Sequence, residues 1–413
     1  MRKAKLNAAF SAFTHGVSHR WSYLTGVLPI PDHLLQPLER VIRCMLLPEV
    51  TGQPACSDEI RRLFALPPCF GGLGITNPVK SSRSQHVASR NICQPLVKAI
   101  LEQEGEPLEV RRIQWQLKME EKRKLCLEQK EEYDAMMEEL VTSPDLQRSV
   151  KAANEKGASA WLTALPIEEH GFALHKGAFC DALALRYGWP LKFCAEKCLC
   201  RARFEPDHQM ICRQGGYVSL RHNELRDLTA SLLKKVCNDV QTEPPLQPVT
   251  GERLPRSANR EDGARLGVRA RGFWDDSMQD AFFDVRVFHP FASSYQSLSL
   301  SSLYRQHETK KKSEYGSCVR EIEHGCFTPL VFSTCGGMGR EADIVFKRLA
   351  SMISNKTSES YAVVMGWIRT RLSFSLLRSA LSCLRNTRPK AVNAVIGDIC
   401  ISVVAAEADV STR

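Results

Sequence analysis

The chain has 413 residues, 43% apolar and 25% charged, which excludes wholesale disorder and exceeds what one hydrophobic core organises, since single cores stop growing near about 250 to 300 residues. Its net charge of +10 favours a polyanionic partner, because neutralising phosphates releases counterions. No apolar run is long enough to span a bilayer and MRKAKLNAAFSAFTHG is too short and polar for a secretory signal, so a nuclear or cytoplasmic protein, not secreted, with reduced thiols is expected.

In chain order, residues 1–100 read as helical. Leu34, Leu38, Val41, Ile42, Met45 and Leu46 form one apolar stripe on a helix expected to stop before Pro48. A Pro- and Gly-rich turn follows, Leu66-Pro67-Pro68 and then Gly71-Gly72-Leu73-Gly74. Residues 101–190 form a charged helical linker region, with EEKRKLCLEQKEEYDAMMEEL in a long solvated helix over 107–141 that could make a short coiled coil. Ser143-Pro144-Asp145 supplies an N-cap, a first-turn proline and an acid, and Gly157 is placed to end that helix. Farther on, a Cys/His cluster at 191–216 precedes a helix at 221–237 and strands at 264–270, 281–288 and 326–333. A charged helix at 302–315 separates the last two strands, and helices follow at 341–354 and 360–384. The expected class is α+β multidomain: a helical N-terminal half, a small zinc knuckle, an α/β domain over 217–358 and a helical tail over 359–413. The apolar run at 392–406 has no assigned place.

Cys198, Cys200, His208 and Cys212 are spaced C-x-C-x7-H-x3-C. Three thiolates and an imidazole suit a closed, tetrahedral, structural zinc site, and Gly215-Gly216 provides a sharp exit. The competing reading is a set of buried thiols.

Arg221-His222-Asn223-Glu224 opens a helix whose apolar face is Leu225, Leu228, Leu232, Leu233 and Val236. In AFFDVRVF, Asp284 interrupts an apolar strand, which is costly unless the carboxylate is paired or binds a cation. Strand alternation puts Asp284 and Arg286 on one face. Lys310-Lys311-Lys312 lies on the following helix, either as a solvated face or as a phosphate contact.

Together CLCRARFEPDHQMIC, RHNELRDLTASLLKKVC, ARLGVRARGFW, AFFDVRVFHPFA and YRQHETKKKSEY resemble the zinc knuckle and restriction-like endonuclease domain at the C-terminus of non-LTR retrotransposon reverse transcriptases. Upstream, GVSHRWSYL, LLQPLERVIRCMLLPEVTG and LPPCFGGLGITNP resemble the thumb-side region of such elements. The resemblance implies DNA, and element RNA, as partners, a structural zinc, and Mg or Mn for a PD-(D/E)xK-type nuclease in which paired carboxylates hold the metal. On this pattern Asp284 is the second carboxylate, Arg286 the basic residue two positions later, Glu224 the supporting helix acid, and Lys310 or Lys311 a transition-state cation. Arg221, His222 and Lys312 are the implied nucleic-acid contacts. Gly267 stands where the pattern has its first strand aspartate, and half a site holds magnesium weakly; Asp262 would substitute only through a shifted loop. Phe273-Trp274-Asp275-Asp276 matches a polymerase box, but no palm surrounds it, so it reads as a solvated turn and no polymerase activity is expected. Two functions stay open: a degenerate metal-dependent DNA endonuclease, and a catalytically inactive nucleic-acid-binding protein.

Overall fold

The computed structural model describes residues 6–53, 56–103, 107–192, 194–244, 266–274, 279–295 and 298–385. Asp262, Asp275, Asp276 and the run 392–406 lie outside them. The described residues form two compact units, one of residues 6–154 and 165–191, the other of 155–164 and 192–385.

The first unit is helical. It contains α1 (Leu6–Ala12), α2 (Ser18–Val27), α3 (Asp32–Val41), α4 (Leu47–Thr51), α5 (Asp58–Ala65), α6 (Pro78–Glu102), α7 (Pro107–Glu139) and α8 (Pro144–Ala153). The short helix α9 (Ala160–Thr163) belongs to the second unit, and α10 (Lys176–Tyr187) returns to the first. The helix expected to stop before Pro48 does not: a π-helical turn at Ile42–Leu46 leads directly into α4, with Pro48 in its first turn. The wider turn changes the hydrogen-bond register at the point where proline lacks a donor. The helix ends instead at Gly52, whose φ of 69° is the left-handed cap that glycine adopts without strain. Ser143 precedes α8 without a side-chain cap, and α8 stops at Ala153, ahead of Gly157.

Ile42, Leu47, Val50, Leu63, Phe64, Phe179 and Tyr187 are buried in this unit. The Gly71-Gly72 loop closes on α10, with Tyr187 Oη donating to the Gly71 carbonyl at 3.0 Å and Arg186 to Pro68 and Gly72 carbonyls at 2.8 and 3.2 Å. Buried Arg61 is held by both oxygens of Glu39, at 2.7 and 2.8 Å, and by the Ile75 carbonyl at 2.8 Å, so the desolvated guanidinium is matched rather than isolated. The charged helix expected at 107–141 is α7, and it lies along α6 as a helical hairpin.

The second unit carries α11 (Pro206–Ile211), α12 (Tyr217–Leu233), β1 (Asn238–Thr242), β2 (Val268–Arg271), β3 (Asp280–Phe288), α13 (Leu300–Glu321), β4 (Cys326–Ser333), α14 (Arg340–Thr357) and α15 (Tyr361–Arg385). The sheet has order β1-β2-β3-β4. β1 and β2, and β2 and β3, pair antiparallel, whereas β3 and β4 are parallel with α13 as their connection, as parallel neighbours require. Mixed helix and sheet is therefore the class. β1 escapes the sequence pattern because its residues are polar and mostly exposed and its register slips between Asn238 and Gln241.

Period-two alternation divides β3. Ala281, Phe283 and Val285 face a core shared with Leu225, Leu232, Phe346, Leu349, Trp367 and Leu372 of α12, α14 and α15. Phe282 joins Cys318 and Val319, and Phe288 joins Leu303 and Tyr304, on the α13 side. Burying each such phenyl ring contributes roughly 1.5 to 3 kcal/mol. Asp284 and Arg286, between Phe282 and Phe288 in the same alternation, are thereby placed on the α13 face.

Candidate functional site

Asp284 is 6% exposed at the middle of β3. Its partner is Lys311 of α13, with Nζ 2.8 Å from Oδ2, and Lys311 also lies 3.5 Å from Glu314 and over the Tyr315 ring at 5.0 Å. Burial alone would lower the Lys311 pKa, but Asp284 outweighs it and the net shift is upward, so the Lys311 ammonium keeps its proton near neutrality. His222 of α12 approaches the other carboxylate oxygen, Nε2 to Oδ1 being 4.0 Å. The arrangement is an acid on a strand, flanked by a helix on either side that supplies a base.

Gly267 sits directly across from this acid. Val268 pairs with Phe283, so Gly267 stands opposite Asp284, and a Cβ on it would lie 3.5 Å from the Asp284 Cα and 3.0 Å from the Phe283 carbonyl oxygen. Its φ is outside the left-handed region, and a Cβ there requires the Phe283 carbonyl to give by a few tenths of an ångström. The position is thus adjacent, as a paired-carboxylate centre requires, but carries no carboxylate. A divalent ion such as Mg or Mn needs several oxygen ligands. Among the described residues the only set of three or more clustered Cys, His or acidic ligands is elsewhere, and an ammonium already occupies Asp284. The residues present do not fit magnesium.

The other expected residues divide. Arg286 is exposed and Lys310 is exposed on α13. Their positive charge, with that of Lys311, adds to burial in holding His307 down to about 4. His307 packs on Phe288, with ring centroids 4.8 Å apart, and its Nε2 is 3.2 Å from Tyr295 Oη. Lys312 is taken up by Glu341, at 2.6 Å. Glu224 turns to α15, where its Oε2 accepts from Ser379 Oγ at 2.5 Å. Arg221 is 2% exposed and donates to the Met210 carbonyl at 3.2 Å. The structure therefore gathers Asp284, Lys311 and His222, with Arg286 and Lys310 beside them, and directs Lys312, Glu224 and Arg221 to other partners.

The Cys/His cluster is assembled. Lys197 and Arg203 form an isolated antiparallel bridge, which folds Cys198 and Cys200 into a tight loop with Arg201 at φ 71°. His208 comes from α11 and Cys212 follows it. All four ligand atoms lie within 4.8 Å of one another; Cys200 Sγ is 3.1 Å from His208 Nε2 and Cys198 Sγ 3.6 Å from Cys212 Sγ. Such separations match a tetrahedron of bonds about 2.0 to 2.3 Å long, so the cluster can hold a metal such as zinc. Desolvation raises both Cys198 and Cys212, but hydrogen bonding from the Cys200 backbone and the neighbouring cysteines brings Cys198 down to about 6, while Cys212 is pushed up to about 11.

Sequence reasoning missed His289. It is 6% exposed just past β3, its Nε2 lying 3.0 Å from Asp207 Oδ1 on α11 and its Nδ1 2.7 Å from Thr334 Oγ1 after β4. It ties the helix that carries His208 to the end of the sheet. The only signal was a histidine ending an apolar strand.

The chain matches no protein-family model and no curated protein. No described helix is long and apolar enough to cross a membrane.

Proposed function

We propose that this is a nucleic-acid-binding protein of retroelement descent whose restriction-endonuclease-like centre holds a DNA backbone without cutting it. The observation that carries the reading is the pairing of Gly267 with Asp284: one carboxylate is present, it is neutralised by Lys311, and its expected mate is absent. What remains on that face is cationic, with Lys310 and Arg286 exposed, suited to phosphates by charge neutralisation. The zinc knuckle, anchored through His289, is the second element of the reading. A metal there has all its ligands from protein and supplies folding energy, not chemistry.

The test is a supercoiled-plasmid nicking assay with magnesium or manganese. The wild-type chain leaves the plasmid intact yet retards it in a gel, and Gly267→Asp gains metal-dependent nicking that Asp284→Ala removes. Wild-type nicking abolished by Asp284→Ala overturns the reading. It would favour the alternative, a working metal-dependent endonuclease, whose support is the retained proximity of Asp284 and Lys311.

A further inference from the structure

The long helix α7 belongs to neither the knuckle nor the nuclease-like centre, yet its N-terminal half is chemically lopsided. Arg111, Trp115, Lys118 and Lys122 are spaced four, three and four residues apart. At about 100° per residue this places all four within roughly 60° of one another on the helix surface, with Arg112 alongside. The α6-facing side is a different one: Gln114 donates to the Ile92 carbonyl at 3.4 Å, and Glu121 accepts from Asn91 at 3.1 Å. Glu109 and Glu120 fall about half a turn from the cationic stripe. Arg111, Arg112 and Lys118 are exposed, and Trp115 is 62% exposed. Among the described residues none of these cations has an acidic partner.

An indole left this open to water, centred in a row of unpaired cations, is not explained by packing within the unit. We propose that the Arg111–Lys122 face of α7 is a binding surface for single-stranded nucleic acid, with Arg111, Lys118 and Lys122 on successive phosphates and Trp115 stacked on an unpaired base. Charge complementarity selects a polyanion, and the lone aromatic selects unpaired bases over duplex, because an unpaired base offers its π-face. The surface stands whether or not the Asp284 centre cuts DNA.

Fluorescence anisotropy of the full chain with a labelled 20-nucleotide oligothymidylate, titrated across salt, tests it. The triple variant Arg111→Ala/Lys118→Ala/Lys122→Ala is expected to bind at least about tenfold more weakly at low salt. Its log-affinity against log-salt slope should flatten by about 2, three phosphate contacts at about 0.7 each. Trp115→Ala should weaken binding about 5- to 100-fold with the slope unchanged, whereas Trp115→Phe keeps most of the affinity. All four side chains lie at the surface or partly so, and unchanged circular dichroism and thermal midpoints establish that the variants are folded. Wild-type affinity and slope in the triple variant overturn the proposal. So does a loss confined to Arg286→Ala/Lys310→Ala, which assigns the binding to the second unit, or a loss of phosphatidylserine-vesicle binding with oligonucleotide binding intact, which assigns the face to membranes.

Discussion

Asp284 is 6% exposed and has Lys311 2.8 Å away as its counter-ion, and the pair has to be judged as a pair. Removing one partner leaves a buried charge without compensation, which costs roughly 3 to 5 kcal/mol, whereas replacing both by apolar groups of similar volume is often neutral. Lys311→Met is therefore expected to destabilise the fold strongly and Asp284→Leu/Lys311→Met much less, as measured by urea unfolding of the single and double variants. Additive losses would show that the two side chains do not act together. Asp284 was legible in the sequence as an acid needing a reason. Which lysine supplies it was not, since three adjacent lysines point in three directions around a helix and only α13 packed on β3 selects Lys311, leaving Lys310 to solvent and Lys312 to Glu341.

Elements are fastened by a second acid, the half-buried Glu155, which starts the segment 155–164. Ser333 Oγ at the end of β4 donates to Glu155 Oε2 at 3.0 Å and itself accepts from the Gly337 backbone at 3.0 Å. Burial pushes Glu155 up to about 7, the hydrogen bond from Ser333 only partly opposing it. The folded protein thus holds this proton more tightly than the unfolded chain. The stabilisation is complete below the unfolded pKa near 4.5 and is lost as pH rises through about 7. Each pKa unit is worth about 1.4 kcal/mol, so the span is on the order of 3 to 4 kcal/mol. Glu155→Gln keeps the hydrogen bonds without the titration, and its thermal midpoint relative to wild type should be higher at pH 8 than at pH 5. His307 acts in the opposite sense: its pKa is held down to about 4, so its contribution is lost as pH falls below about 6.5. A wild-type to Glu155→Gln difference that does not change with pH would refute the assignment. At this scale the apolar stripes and strand alternation read from sequence give most helices and three strands. They fail at Pro48, where a π turn removes the usual penalty, and at β1, where exposed polar residues carry no alternation.

For the whole molecule the decisive test is metal removal. The four residues of the cluster lie together, and His289 joins α11 to the sheet through Asp207 and Thr334, so a metal held there would couple its binding to the stability of the second unit. The purified chain should contain about one zinc per molecule. Chelation or Cys212→Ser should lower the thermal midpoint, while His289→Ala should keep the metal and lose about 1 to 3 kcal/mol, the cost of stranding the buried Thr334 hydroxyl. A metal-free protein with an unchanged midpoint on chelation would remove zinc from the account.

The sequence by itself determined the mixed class, the ligand set of the Cys/His cluster, the acid in the β3 strand and the absence of a carboxylate at Gly267, because each is a matter of residue type at a local period or spacing. Only the tertiary structure decided that Gly267 lies opposite Asp284, that Lys311 is the counter-ion of that acid, that Glu224 and Arg221 turn to other partners, and that His289 bridges α11 and the sheet. Those facts depend on strand register and on which helix covers which face. Both are settled by burying apolar surface across segments far apart in the chain, and no local pattern encodes that choice.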